Sequence, residues 1–122
     1  FSYYSSALEV IDEIHKSGGY ASLAHPFMYP SKDKFSFIEE LICELPIDMV
    51  ECIYPEFTLD ERIFLKQLCQ KYNKFISGGS DYHGLNRPKN LLGTGINDNL
   101  NIPFSLVKPW VNHLNNTLIL KK

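Results

Sequence analysis

Three quartets of the form Ser/Thr-x-x-Glu punctuate this chain: Ser6 to Glu9, Ser36 to Glu39 and Thr58 to Glu61. Each stands before residues whose apolar positions recur at helical spacing. In such a capping box the hydroxyl accepts from the backbone N–H three residues on, and the glutamate reaches back to the cap's own N–H. Each quartet therefore marks a helix start. The first predicts a helix over Ser6 to Ser17, with Leu8, Ile11 and Ile14 on one face and Gly18-Gly19 ending it. The second carries Ile38, Leu41, Ile42 and Leu45 before Pro46 interrupts the pattern, and the third carries Leu59, Ile63, Leu68 and Tyr72.

A short apolar run comes after each helix. Tyr20 to Ala24, Ile47 to Ile53 and Phe75-Ile76-Ser77 all read as strands, with Pro26 biasing His25 toward extended backbone at the end of the first. Helix and strand in strict alternation predict an α/β fold, a parallel sheet with helical crossovers. Past Gly84, Arg87-Pro88-Lys89 and Gly93-Thr94-Gly95 read as loop. Phe104 to Leu114 reads as a last helix interrupted or restarted at Pro109, and Thr117 to Leu120 as a short edge strand or a tail. No repeat, low-complexity run or linker divides the chain.

At 122 residues with 44% hydrophobic content, the chain suffices for one modest core and not for two ordinary domains. Twelve Lys and Arg against 14 Asp and Glu give no general attraction to nucleic acid or to an acidic membrane, so an anionic substrate would need a local cation. Cys43, Cys52 and Cys69 are far apart and odd in number, which fits neither a disulfide framework nor a cysteine-built zinc site. Buried reduced thiols in a cytoplasmic protein are expected. No apolar run is long enough to span a bilayer. The first residue, Phe1 rather than Met, suggests a fragment of a longer chain.

The polar clusters fall where strands end, which is where α/β folds place their chemistry. Gly78-Gly79-Ser80-Asp81-Tyr82-His83-Gly84 offers a carboxylate and an imidazole two residues apart, and in extended backbone both would point the same way. Oxygen and nitrogen donors of this kind suit zinc, manganese or iron. Against that, Asp81 is equally suited to capping a turn among glycines, and His83 to solvent. His25 in Leu23-Ala24-His25-Pro26 reads first as a core histidine, and only its place at a strand's end argues for more. Glu51, inside the apolar run Met49 to Ile53, must be exposed at the sheet's rim, paired, or bound to something. Arg87 has a guanidinium fork suited to phosphate, although most loop arginines are simply solvated. His15 and His113 read as ordinary surface residues.

Taken in order, Gly18 to Pro26, Met49 to Pro55 and Gly78 to Gly84 resemble the carboxyl-terminal part of PHP (polymerase and histidinol phosphatase) phosphoesterases, most closely the stand-alone TrpH/YciV-like branch. Ala24-His25-Pro26 and Ser80-Asp81-Tyr82-His83 carry most of this. The resemblance implies residues 1–122 to be the carboxyl-terminal part of a single PHP domain, a distorted seven-stranded β/α barrel with two or three divalent metals, manganese, zinc or iron, at its carboxyl-terminal strand ends. It implies His25, Asp81 and His83 as metal ligands. Glu51 would lie beside them or face substrate, with Arg87 or Lys89 near the phosphate. The implied reaction is hydrolysis of a phosphate ester by metal-activated water, as a phosphomonoesterase or 5′-directed exonuclease on nucleotides or short oligonucleotides. The family's opening His-x-His, its aspartate and a further histidine and glutamate are absent from these residues. A second function class therefore stands beside the first: a noncatalytic fragment that binds metal or a partner. Half a barrel would expose strand edges and apolar surface, so self-association is expected.

Overall fold

The structure is a computed structural model that describes residues 2–28, 32–86, 88–96 and 99–121, the side chains of 2–4 and 115–121 excepted. Three strands, β1 (Ser22–Leu23), β2 (Met49–Ile53) and β3 (Phe75–Gly78), form one parallel sheet in the order β1-β2-β3. Helix α1 (Ser2–Lys16) precedes β1. Helices α2 (Lys34–Glu44) and α3 (Leu59–Tyr72) form the two crossovers, and α4 (Phe104–Lys121) comes after β3. The expected α/β alternation is what forms.

Pairing of Leu23 with Val50 and of Val50 with Ile76 puts these residues on one face of the sheet. That face joins Ile38, Leu41 and Ile42 of α2 and Leu65, Leu68 and Cys69 of α3 in a single core. Val50, Ile42 and Leu65 are completely inaccessible. On the opposite face the ring of Phe75 packs against Tyr20 and against His113 of α4. His113 also hydrogen-bonds the Tyr20 hydroxyl. It is a docking residue for α4 rather than ordinary surface. His15 is likewise engaged: its Nε2 lies 2.7 Å from Asp48 Oδ2, the same oxygen that accepts the N–H of Ala21 ahead of β1.

The helix starts divide by mechanism. Thr58 forms the complete capping box, its Oγ1 accepting from Glu61 N at 3.1 Å while Glu61 Oε1 accepts from Thr58 N at 2.8 Å. Ser6 and Ser36 do not cap, because α1 already runs from Ser2 and Asp33 caps α2 by accepting from Ser36 N. Replacing Thr58 by alanine is expected to cost about 1 kcal/mol, read as a lowered urea midpoint with an unchanged slope.

Facing also differs at particular residues. In α1 the inward stripe is Ala7, Ile11 and Ile14, at spacings of four and three, so Leu8 is turned out. In α3 the stripe runs through Leu65, Leu68 and Cys69, and Leu59 and Ile63 are exposed. Gly18, at φ 81°, ends α1, and Asn73, at φ 56°, ends α3 in the same left-handed conformation. At the other end of the chain, α4 is continuous to Lys121 with Pro109 inside it. Thr117 to Leu120 is thus helix rather than strand, and Pro109 costs α4 one backbone hydrogen bond.

Cys52 and Cys69 are buried free thiols with their sulfurs 3.5 Å apart, whereas Cys43 is exposed, contrary to expectation, because it sits on the outer side of α2. β1 is an edge of the sheet. Beside it an apolar groove of about 620 Å³ opens between α1, β1 and α2, lined by Val10, Ile11, Ile14, Leu23, Leu41 and Leu45 among others. Among the described residues, no helix is long and apolar enough to cross a membrane.

Candidate active site at the carboxyl ends of the strands

All three strands of a parallel sheet end on the same side, so the segments that leave them converge there. His25 comes two residues after β1. Its backbone is not extended, as expected from Pro26, but has φ 28°. Two hydrogen bonds hold that turn: His25 N–H donates to Glu51 Oε1 at 2.8 Å, and Met28 N–H donates to the His25 carbonyl at 2.9 Å. The imidazole packs against the Tyr54 ring, centroids 5.5 Å apart.

Glu51 lies on the sheet face opposite Val50 and is the one residue of β2 that is partly exposed. Burial pushes its carboxyl above the usual carboxylate range. The His25 N–H draws it partly back, and the charge of Asp81 adds a small upward push. The chain passes close over it at Gly79, where a Cβ would sit 3.2 Å from Glu51 Oε2. The carboxylate is therefore paired and partly buried.

Asp81 lies beyond β3 at φ 54°, in the left-handed region that a non-glycine residue occupies at a cost of about 1–3 kcal/mol. Its Oδ2 accepts the Tyr54 hydroxyl at 2.5 Å, and its Oδ1 lies 3.3 Å from His83 Nδ1. His83 Nδ1 is also 2.8 Å from the Asp81 carbonyl oxygen. Carbonyl oxygen only accepts, so Nδ1 carries a proton, and in the neutral ring Nε2 then has the lone pair. This is the tautomer that metal-binding histidines have when they ligate through Nε2. The His83 side chain is 52% exposed and that of Asp81 18%, so Asp81 is seated in the fold and His83 stands at its mouth.

The loop behind the pair is pinned by Asn90, a buried residue whose Nδ2 donates to the Ser80 carbonyl at 2.9 Å. Arg62 of α3 donates to the Tyr54 carbonyl at 2.9 Å, and Asn99 Nδ2 to the Pro55 carbonyl at 2.5 Å. Tyr54, Asn90, Arg62 and Asn99 escape sequence reasoning. Tyr54 alone leaves a signal, since a tyrosine ending an apolar strand will be buried and its hydroxyl then needs a partner.

Four of the residues singled out from sequence thus meet at one end of the sheet: His25 with Glu51, and Asp81 with His83, with Tyr54 touching both pairs. Lys89 is exposed, and Arg87 lies outside the described residues. The donors are nitrogen and carboxylate oxygen, the chemistry a manganese, zinc or iron ion accepts. Among the described residues, no three His, Cys, Asp or Glu side chains are grouped closely enough to hold an ion by themselves.

One curated relative, the phosphoribosyl 1,2-cyclic phosphate 1,2-diphosphodiesterase of Eggerthella lenta, is 31% identical over 81 residues. The match covers 66% of this chain and only 29% of the relative's length. No protein-family model matches the chain. No solved structure matches it either.

Proposed function

We propose that this chain is the carboxyl-terminal portion of a PHP-type phosphoesterase barrel and contributes His25, Asp81 and His83 to a divalent-metal site that hydrolyses phosphate esters. The observation that carries the reading is the meeting of these residues, with Glu51, at the carboxyl ends of three parallel strands, His83 presenting Nε2 and two of the three held at positive φ. The diphosphodiesterase name of the Eggerthella lenta relative supports the reaction class. In this reading the rest of the barrel adds its strands along the edge of β1, beside the apolar groove, and supplies the remaining ligands. A chain lacking that half would pair the same edge with a second copy.

Each residue then has a task. Asp81 and His83 would hold the cation through carboxylate oxygen and Nε2, and His25 would hold it from the end of β1. Glu51 fixes the His25 turn by accepting the His25 N–H and would add a second, partly buried carboxylate at the same end of the sheet. A bound divalent cation supplies polarisation of a phosphoryl oxygen and a water of lowered pKa, so no serine or cysteine nucleophile is required. In sequence, Arg87 and Lys89 come shortly after His83 and would help to hold a phosphate. Substrates in this reading are phosphorylated small molecules, nucleotides or short oligonucleotides, and the relative's name adds cyclic sugar phosphates to the esters to be assayed.

The test is Mn²⁺ titration by calorimetry together with hydrolysis of p-nitrophenyl phosphate and its bis-ester. In the intact protein Mn²⁺-dependent turnover is expected, with Asp81→Ala and His83→Ala each weakening Mn²⁺ binding by at least about tenfold and removing turnover. The second reading, a noncatalytic metal- or partner-binding module, is favoured by the absence of any three grouped donors among the described residues. A folded, metal-free and inactive chain would remove the first reading for residues 1–122 taken alone and leave partner binding as the second.

A further inference from the structure

Two nucleophilic groups lie in the core and take no part in the site at the strand ends. Cys52 of β2 is 0% exposed and Cys69, in the last turn of α3, is 2% exposed, and their sulfurs are 3.5 Å apart. Neither sulfur is held where it is by a strong bond. Cys52 donates to the Val50 carbonyl at 3.4 Å and Cys69 to the Phe75 carbonyl at 3.8 Å, and S–H is a weak donor. A disulfide is about 2.05 Å long, so the sulfurs would have to approach by about 1.5 Å. Rotation about the two Cα–Cβ bonds, shared between the residues, supplies movement of that size.

We propose that Cys52 and Cys69 are a modification site, a dithiol that a hydroperoxide converts to a reversible disulfide fastening the last turn of α3 to β2. The hydrogen bond from Cys52 holds the Cys69 thiol below its ordinary range against the opposing effect of burial, and the Lys74 charge adds to it. The same contact, together with burial, pushes Cys52 up. Cys69 is thus the sulfur that reacts first, when the end of α3 opens; helix ends open more readily than the core they cover. Its sulfur attacks one peroxide oxygen, the O–O bond breaks, and the leaving hydroxide takes the Cys69 proton away as water, which leaves a sulfenic acid. The Cys52 sulfur then attacks that of Cys69, the S–O bond breaks, and the departing hydroxide takes the Cys52 proton as a second water. Two thiols have lost two electrons and the peroxide has become two waters. A small thiol reverses the bond by exchange. Because the two residues are 17 apart in sequence, the link also closes a loop that the unfolded chain would otherwise explore freely.

The experiment uses the 122-residue chain with Cys43→Ser, which removes the exposed thiol and leaves the buried pair. Treated with hydrogen peroxide while folded, it is expected to lose two hydrogens in intact mass and to give peptides joined at Cys52 and Cys69 that dithiothreitol separates. The oxidised chain should unfold at a higher urea midpoint than the reduced one. Adding Cys69→Ala should remove both the mass loss and the rise in midpoint. Thiols that stay free in the folded chain, oxygen gained without a link, or a link that forms only above the urea transition would each overturn the proposal. A link that lowers the midpoint would overturn the fastening role, and so would an equal rise in the variant with Cys69→Ala.

Discussion

Val50→Asp is expected to abolish the folded state. Val50 is 0% exposed in β2, the middle strand, with Leu23 its partner on one side and Ile76 on the other, under the apolar faces of α2 and α3. A carboxylate there would meet neither water nor a cation, and an unpaired buried charge costs several kcal/mol even after relaxation. Domains of this size have in total about 5–15 kcal/mol of stability. The measurement is far-ultraviolet circular dichroism through a urea titration, in which the variant should show no cooperative transition. A sharp transition near the wild-type midpoint would mean that β2 is not the centre of the core.

Gly78→Val should produce the next largest loss, for a different reason. Gly78 is not one of the glycines at positive φ, so its backbone would suit any residue, and the substitution tests space alone. A Cβ there would lie 2.9 Å from the Ile53 carbonyl oxygen, 3.0 Å from Ile53 Cβ and 2.9 Å from Ile102 Cδ1. The Ile102 methyl can turn aside. The carbonyl cannot, because it belongs to β2 and already accepts the N–H of Gly79 at 3.0 Å. Overpacking of this kind costs about 1–3 kcal/mol, and valine, with two further methyl groups, belongs at the top of that range. Since β3 would be pushed off β2 just before Asp81, the proposed metal-dependent reading expects Mn²⁺ binding to fall with stability. A variant with an unchanged midpoint would show that the strands have room to separate there.

Sequence and structure agree where the signal is local and repeated. Thr58 to Glu61 caps α3 as its pattern predicts, the stripe Ile38, Leu41, Ile42 and Leu45 is buried to the last residue, and the three strands form at the three apolar runs. They part where a competing local signal of equal strength is present. Asp33 stands three residues before Ser36 and takes the cap, and Ala7 displaces Leu8 because helix facing is set by what lies opposite, not by size. Glu51 is marked as anomalous by its sequence, but its partner, the His25 N–H, comes from beyond another strand and is invisible to any local pattern. Tyr54 and Asn90 escape for the same reason: each acts through a hydrogen bond to a carboxylate or carbonyl that only the closed sheet brings near.

Among the described residues the sheet contains no hairpin: β1 meets β2, and β2 meets β3, only across a whole intervening helix. An emerging chain therefore cannot bury Val50 until Ile76 has been synthesised, and every strand pairing must close a long loop before it gains a hydrogen bond. Folding should accordingly be slower than in a helical bundle of the same length. Until it is complete, the unpaired apolar β2 is the segment on which chaperones or neighbouring chains would act.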